Sequence, residues 1–89
     1  MSLRARILEG GNAIFDLVGP HVCLASHHVD ELREQEPGQV VRFFDDAFQV
    51  AYSPDETEVT VVMGKVRVSM PASEWRQAIG VRDPGVYAG

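Results

Sequence analysis

The stretch AFQVAYSPDETEVTVVMGKVRVSMP, residues 47–71, decides the fold class of this 89-residue chain. Apolar and polar side chains alternate over residues 48–52, 59–63 and 66–70, and many of them are β-branched or aromatic. A period of two places every second side chain on the same face of a β-strand. The motif SPDET favours a chain reversal between the first two segments, and Gly64 permits a second tight turn. The stretch therefore predicts a three-stranded antiparallel meander with one apolar face.

The segment MPASEWRQAIG, residues 70–80, predicts a short helix directly after the meander. Pro71 suits the first turn, because the N–H that a proline lacks would have no partner there. Gly80 can end the helix by adopting a left-handed conformation. The apolar side chains that recur at helical spacing should face the meander, and they are Trp75, Ala78 and Ile79.

The chain before the meander offers a further strand and a second helix. QVVRFF, residues 39–44, has strand character, and Asp45 and Asp46 after it indicate a turn, a bulge or a change of face. HHVDELREQ, residues 27–35, is polar and compatible with a helix that has Ser26 as its N-cap. EQEPGQ, residues 34–39, is a linker in either interpretation.

Two structures compete for residues 3–18. Their apolar side chains fit a helix, but Gly10 and Gly11 lie in the middle, and each glycine would cost about 1 kcal/mol relative to alanine. A β-hairpin with GGN as its loop is therefore favoured. Taken together, the patterns predict a single α+β domain over residues 1–89. It has a small antiparallel sheet of about three to six strands, a short C-terminal helix and one further helical segment before residue 36. Residues 81–89 would form a turn-rich tail, either mobile or packed on a neighbour.

Composition limits the classes of partner. The net charge of −5 argues against direct binding of nucleic acid, because such binding depends on Lys and Arg contacts to phosphate. No apolar run approaches the roughly 20 residues that a membrane-spanning helix needs. The apolar run near the N-terminus breaks at Glu9 and Gly10, so a signal peptide is not expected. A single cysteine is typical of a protein in a reducing compartment, which predicts a cytoplasmic location.

All three histidines and the only cysteine lie within HVCLASHH, residues 21–28. If this segment is a strand, then His21, Cys23 and His27 share one face. If residues 20–35 form one helix, then Cys23 and His27 share a face instead. His21, Cys23 and His27 are therefore candidate zinc ligands. Recognised zinc motifs use two separated ligand pairs, however, and no second pair exists here, so a packed segment without a cofactor is the favoured interpretation.

Two acidic runs are the candidate partner-binding surfaces. They are DELREQE at residues 30–36 and PDETE at residues 54–58, with the acidic side chains Asp30, Glu31, Glu34, Glu36, Asp55, Glu56 and Glu58. Such a surface would complement a basic protein, and an open sheet edge would pair with a strand of another chain or of a second copy.

The functional hypothesis is therefore a small non-enzymatic binding or regulatory module, such as an inhibitor that acts through acidic patches or a sheet edge. A homodimer is a further expectation for so small a core. Catalysis is not expected, because no nucleophile with a positioned base is specified. The alternative hypothesis is a metal-binding or metal-responsive protein that uses the cluster at residues 21–28.

Overall fold

A computed structural model describes residues 4–16 and 21–80, which form two antiparallel sheets and two α-helices. The first sheet contains β1 (Arg4–Ile7), β2 (Ala13–Asp16) and β3 (His21–Leu24), in that order. The second sheet contains β4 (Val40–Phe43), β5 (Phe48–Tyr52), β6 (Glu58–Met63) and β7 (Val66–Pro71), also in chain order. Helix α1 (Ser26–Arg33) connects the sheets, and helix α2 (Ala72–Ala78) follows β7. The predicted α+β class is confirmed.

The predicted meander is confirmed, and β4 extends it to four strands. Val50 lies opposite Val61, which in turn lies opposite Val68, and all three side chains are buried. Gly64 has a φ of 60° in the turn between β6 and β7, a conformation that favours glycine. Asp45 and Asp46 lie in the turn between β4 and β5, so the turn was the correct alternative among the three.

The hairpin predicted near the N-terminus is also confirmed within the described residues. Ile7 pairs with Ala13 across a short 3-10 turn at Glu9–Gly11, and Phe15 on β2 is fully buried. This hairpin pairs with β3 as a separate three-stranded sheet, so the described residues contain seven strands in two sheets rather than three to six in one. The tail predicted at residues 81–89 lies outside the described residues, as do residues 1–3 and 17–20.

Residues 21–33 combine the two structures that the sequence left as alternatives. β3 ends at Leu24 and α1 begins at Ser26, so the segment is neither one strand nor one helix. The predicted N-cap is wrong by one residue, since Ala25 occupies that position and Ser26 is the first helical residue. The Ser26 N–H donates to Oδ1 of Asn12 at 2.9 Å, so a side chain from the hairpin loop satisfies a free N–H at the start of the helix.

The core lies between the two sheets and is closed by both helices. Phe15 of the first sheet makes edge-to-face contacts with Phe48 at 5.9 Å and with Trp75 at 5.6 Å between ring centroids. Trp75 and Ile79 of the predicted apolar stripe are buried, and Ala78 is half-buried, which confirms that stripe. Helix α1 contributes Val29 and Leu32 to the same core. Its opposite side faces solvent and carries the acidic residues.

Candidate partner-binding surface

Helix α1 holds its acidic side chains beside the second sheet. Arg33 Nε donates to the carbonyl oxygen of Ile79 at 2.7 Å, which ties the end of α1 to the end of α2. The Arg33 guanidinium also lies 3.7 Å from the carboxylate of Asp30. Asp30 thus has a cationic neighbour on its own helix. Glu31 and Glu34 are exposed on the side that faces β4.

Gln35 fixes the distance between the end of α1 and the sheet. Its Nε2 donates to the carbonyl oxygens of Gln39 at 3.0 Å and Val50 at 2.9 Å. The remaining amide atom, Oε1, is buried without a hydrogen-bond partner. The linker is tightened further by the Glu36 N–H, which donates to Oε1 of Gln39 at 2.9 Å. One side chain therefore joins the end of α1 to the residue before β4 and to β5.

β4 is an outer strand of its sheet and pairs only with β5 among the described residues. The Tyr52 N–H donates to the carbonyl oxygen of Gln39 at 3.0 Å, which sets the phase of the ladder between the two strands. Hydrogen-bonded and non-hydrogen-bonded pairs alternate along an antiparallel ladder. The backbone groups of Val41 and Phe43 therefore bond to β5. Those of Val40 and Arg42 point outward, away from β5.

A groove runs between α1 and this outer edge of β4, and we call it the helix–strand groove. Its helix side carries Glu31, Glu34 and Gln35, and its strand side carries Val40, Val41 and Arg42. Val40 is 43% exposed, a high value for a valine in a strand. The groove thus combines two carboxylates with backbone groups of an edge strand that have no partner among the described residues, while the exposed side chains of Val40 and Arg42 lie on the other face of β4.

The remaining predicted acidic residues lie elsewhere. Glu36 and Glu56 line a second cavity, and Tyr52 and Trp75 form part of the same lining. The structure therefore brings one residue of each acidic run together. Glu58 is exposed at the start of β6. Gln35 lines both cavities, so the two acidic surfaces are neighbours.

Asp55 has a structural role in the turn between β5 and β6. Its Oδ1 accepts bonds from the hydroxyl groups of Ser53 and Thr57, each at 2.7 Å, and from the Thr57 N–H at 3.2 Å. These bonds, first that of Ser53, hold the pKa of Asp55 below its ordinary value, because they stabilise the charged form. The carboxylate that was predicted to bind a partner also stabilises its own turn.

The three candidate metal ligands do not form a common site. His21 and Cys23 are both exposed on β3, but His27 lies on α1, because the chain changes from strand to helix between them. Across residues 4–16 and 21–80, no three side chains of His, Cys, Asp or Glu are grouped so that they could hold a metal ion.

Sequence reasoning missed a cluster of rings at the end of β4. The ring of His28 lies 4.1 Å from that of His27, 4.4 Å from that of Phe43 and 5.3 Å from that of Phe44, between centroids. The Ala25 N–H donates to Nδ1 of His28 at 3.3 Å. Burial chiefly, and His27 next, lower the pKa of His28, and Glu31 opposes them. Charging this imidazole is therefore disfavoured in the folded protein.

The turn after β4 has an unusual backbone. Phe44, Asp45 and Asp46 have φ values of 58°, 54° and 69°, all in the left-handed region. This conformation costs roughly 1–2 kcal/mol for a residue with a Cβ atom, although aspartate tolerates it better than most. The turn leaves the Phe44 ring 46% exposed.

The sequence predicted an open sheet edge as a binding site but did not assign it to β4. The one signal for it was the order of segments, because the first strand of a meander has a neighbour on one side only.

No described helix has the length and apolar character needed to cross a bilayer. Comparison with known proteins gives no match: no family model, curated protein or solved structure is significantly similar to the chain.

Proposed function

We propose that this protein is a small non-enzymatic binding module that engages a basic segment of another protein at the helix–strand groove. One observation supports this most: Glu31 and Glu34 line the same groove as the unpaired edge of β4. Opposite charge accelerates the encounter of two proteins, and an open edge supplies main-chain hydrogen bonds. An inhibitor that covers the basic surface of its target is one use of such a module.

We also propose that the protein is cytoplasmic. Cys23 is exposed and has no disulfide partner in the described structure. A free thiol of this kind persists most readily where the surroundings are reducing.

The test compares two double variants with the same change of charge. Glu31→Lys with Glu34→Lys alters the groove, whereas Asp16→Lys with Glu74→Lys alters exposed residues that do not line it. Each substitution replaces a negative charge by a positive one and raises the net charge by two, so both variants change the net charge from −5 to −1. Each form is used for affinity capture from native lysate, followed by quantitative mass spectrometry and a measurement of bound metal.

The proposal expects proteins that the wild type and the Asp16/Glu74 variant capture and that the Glu31/Glu34 variant loses. Equal capture by all three forms would contradict it, because the groove would then contribute nothing specific. Stoichiometric metal in the purified protein would favour the metal-binding alternative instead.

A further inference from the structure

The open edge of β4 has a definite hydrogen-bonding phase. The Ser53 N–H donates to Glu58 at 3.0 Å and the Gly64 N–H to Ala47 at 2.9 Å, so alternate residues of β5 bond to β6. The intervening residues of β5, among them Val50, bond to β4. Val40 and Arg42 therefore present two N–H and two C=O groups to an incoming chain.

The pleat of β4 decides which side chains of an added strand would meet the acids. Val41 and Phe43 face the core side, on which α1 lies, whereas Val40 and Arg42 are exposed on the opposite side. In an antiparallel pair, residues directly opposite one another share a face. Residues opposite Val41 and Phe43 would thus face Glu31 and Glu34.

The spacings of the two sides are compatible. Alternate residues of a strand lie about 6.8 Å apart. Residues three apart on a helix surface, such as Glu31 and Glu34, have Cβ atoms about 5–6 Å apart. Long cationic side chains at alternate positions of an added strand would therefore reach both carboxylates.

From this geometry we infer that the helix–strand groove takes an extended, basic segment of a partner as a fifth strand. The segment pairs antiparallel with β4 and has Lys or Arg at alternate positions facing Glu31 and Glu34. This inference rests on the proposed function and adds the conformation and the sequence pattern of the ligand. Antiparallel pairing is the form that every neighbouring pair in the sheet already has, and it is the more stable form per residue.

The charge of the groove favours a foreign segment over a second copy. β4 paired with β4 of another copy would bring two sets of Glu31 and Glu34 towards one edge, where like charges repel. The opposite edge of the sheet is a poorer site for an added strand, because β7 ends at Pro71, which has no N–H. Each edge carries an exposed arginine, Arg42 on β4 and Arg67 on β7, but Glu31 and Glu34 line the groove beside β4. The groove is thus the edge whose charge fits a cationic strand.

The probe is an eight-residue peptide in which threonine and lysine alternate, with one end labelled by fluorescein. In the inferred register the lysines face α1, so their N–H groups point away from β4, and the threonine N–H groups bond to it. N-methylation of the threonines should therefore weaken binding by about tenfold or more, measured by fluorescence anisotropy at low salt. N-methylation of the lysines should change the affinity little.

A pair of protein variants tests the same edge. Val40→Pro removes an outward N–H of β4, and Ser69→Pro removes the equivalent N–H of β7, as a control at the other edge. Val40→Pro should reduce peptide affinity to a similar extent, and Ser69→Pro should leave it unchanged. Circular dichroism checks that both variants fold. The methylated peptides test the inference on the unaltered protein even if a proline variant does not fold.

Three results would overturn the inference. Equal effects of the two methylation patterns would exclude antiparallel strand addition. A loss of binding on charge reversal at Glu31 and Glu34 without any effect of backbone changes would refute strand addition while leaving the proposed function intact. A chain that sediments as a dimer, and as a monomer after Val40→Pro, would show that a second copy occupies the edge. By contrast, if charge reversal at Glu31 and Glu34 left binding unchanged, the proposed function itself would be refuted.

Discussion

Replacement of Gln35 by glutamate or methionine tests how the helix–strand groove is held in shape. The three side chains have similar lengths, but only the amide can donate hydrogen bonds to the carbonyl oxygens of Gln39 and Val50. Methionine removes both donors and also the buried Oε1 that has no partner. Glutamate removes both donors and places a negative charge against the two carbonyl oxygens.

The expected magnitudes differ between the two variants. Loss of two hydrogen bonds costs about 1–3 kcal/mol of unfolding free energy. In Gln35→Met, removal of an unsatisfied buried acceptor returns about 1 kcal/mol, so the net loss is about 0–2 kcal/mol. In Gln35→Glu, the desolvated charge adds a further loss, for a total of about 3–5 kcal/mol. The midpoints of these two ranges differ by about 3 kcal/mol, which corresponds to about 12–24 °C in Tm for a domain of this size.

Thermal unfolding followed by far-ultraviolet circular dichroism at pH 8 and pH 5 measures both effects. Burial beside two carbonyl oxygens should raise the pKa of the introduced carboxyl group above its unfolded value. Its destabilisation is then greatest at high pH and decreases as the pH falls through the raised pKa, because the neutral acid carries no charge and regains one donor. Equal Tm values for the two variants, or a Gln35→Glu deficit that does not change with pH, would refute this account of Gln35.

Four further predictions concern other parts of the molecule. The pKa of His28 is lowered from 6.5 in the folded state, so the neutral imidazole is the form that favours folding. The contribution of His28 to the unfolding free energy should therefore be lost as the pH falls below about 6.5. The Tm of His28→Gln should therefore fall less than that of the wild type between pH 7.5 and 5.5, and parallel curves would contradict this. Asp45→Gly should raise the unfolding free energy by up to about 1 kcal/mol, because glycine adopts the left-handed φ of 54° freely. The same change at Asp55 should lower stability, because it removes the bonds to Ser53 and Thr57; calorimetry of both variants would detect a wrong sign. Zinc added to metal-free protein should leave the Tm unchanged, and a rise that Cys23→Ser abolishes would support a metal site.

The second sheet could be predicted from the sequence because its information is local. Alternation of Val59, Val61 and Met63 with polar or less buried neighbours reports directly which side chains face the core. The turns on either side contain Pro54 and Gly64, whose backbone preferences act within a few residues. The buried stripe of α2 was predictable for the same reason.

The division into two sheets was not predictable in this way. Whether the hairpin near the N-terminus joins the meander or pairs with β3 depends on contacts between distant segments, and periodicity carries no information on these. The change from strand to helix at Ala25 was not predictable either. Val22 and Leu24 follow a period of two, and the helical pair Val29 and Leu32 begins only four residues after Ala25, so each pattern is too short to define its own boundary.

The candidate site was predicted in part. Exposure of Glu31 and Glu34 follows from their charge, but their position beside β4 depends on bonds that Gln35 makes to Val50, 15 residues away. The role of Asp55 could not be predicted, because the sequence does not show whether an aspartate in a turn binds a partner or forms hydrogen bonds within its own turn. Only the structure separates the carboxylates that line the groove from the one that holds a turn.

Trp75 provides an internal spectroscopic reporter. It is the only tryptophan in the chain, and it belongs to the helix that follows the second sheet while its ring lies against Phe15 of the first. Its emission should therefore report separation of the two sheets, whereas far-ultraviolet circular dichroism reports the loss of strands and helices. Coincident transitions by the two methods would show that the sheets unfold as one cooperative unit, and an earlier fluorescence change would reveal an intermediate in which they have parted.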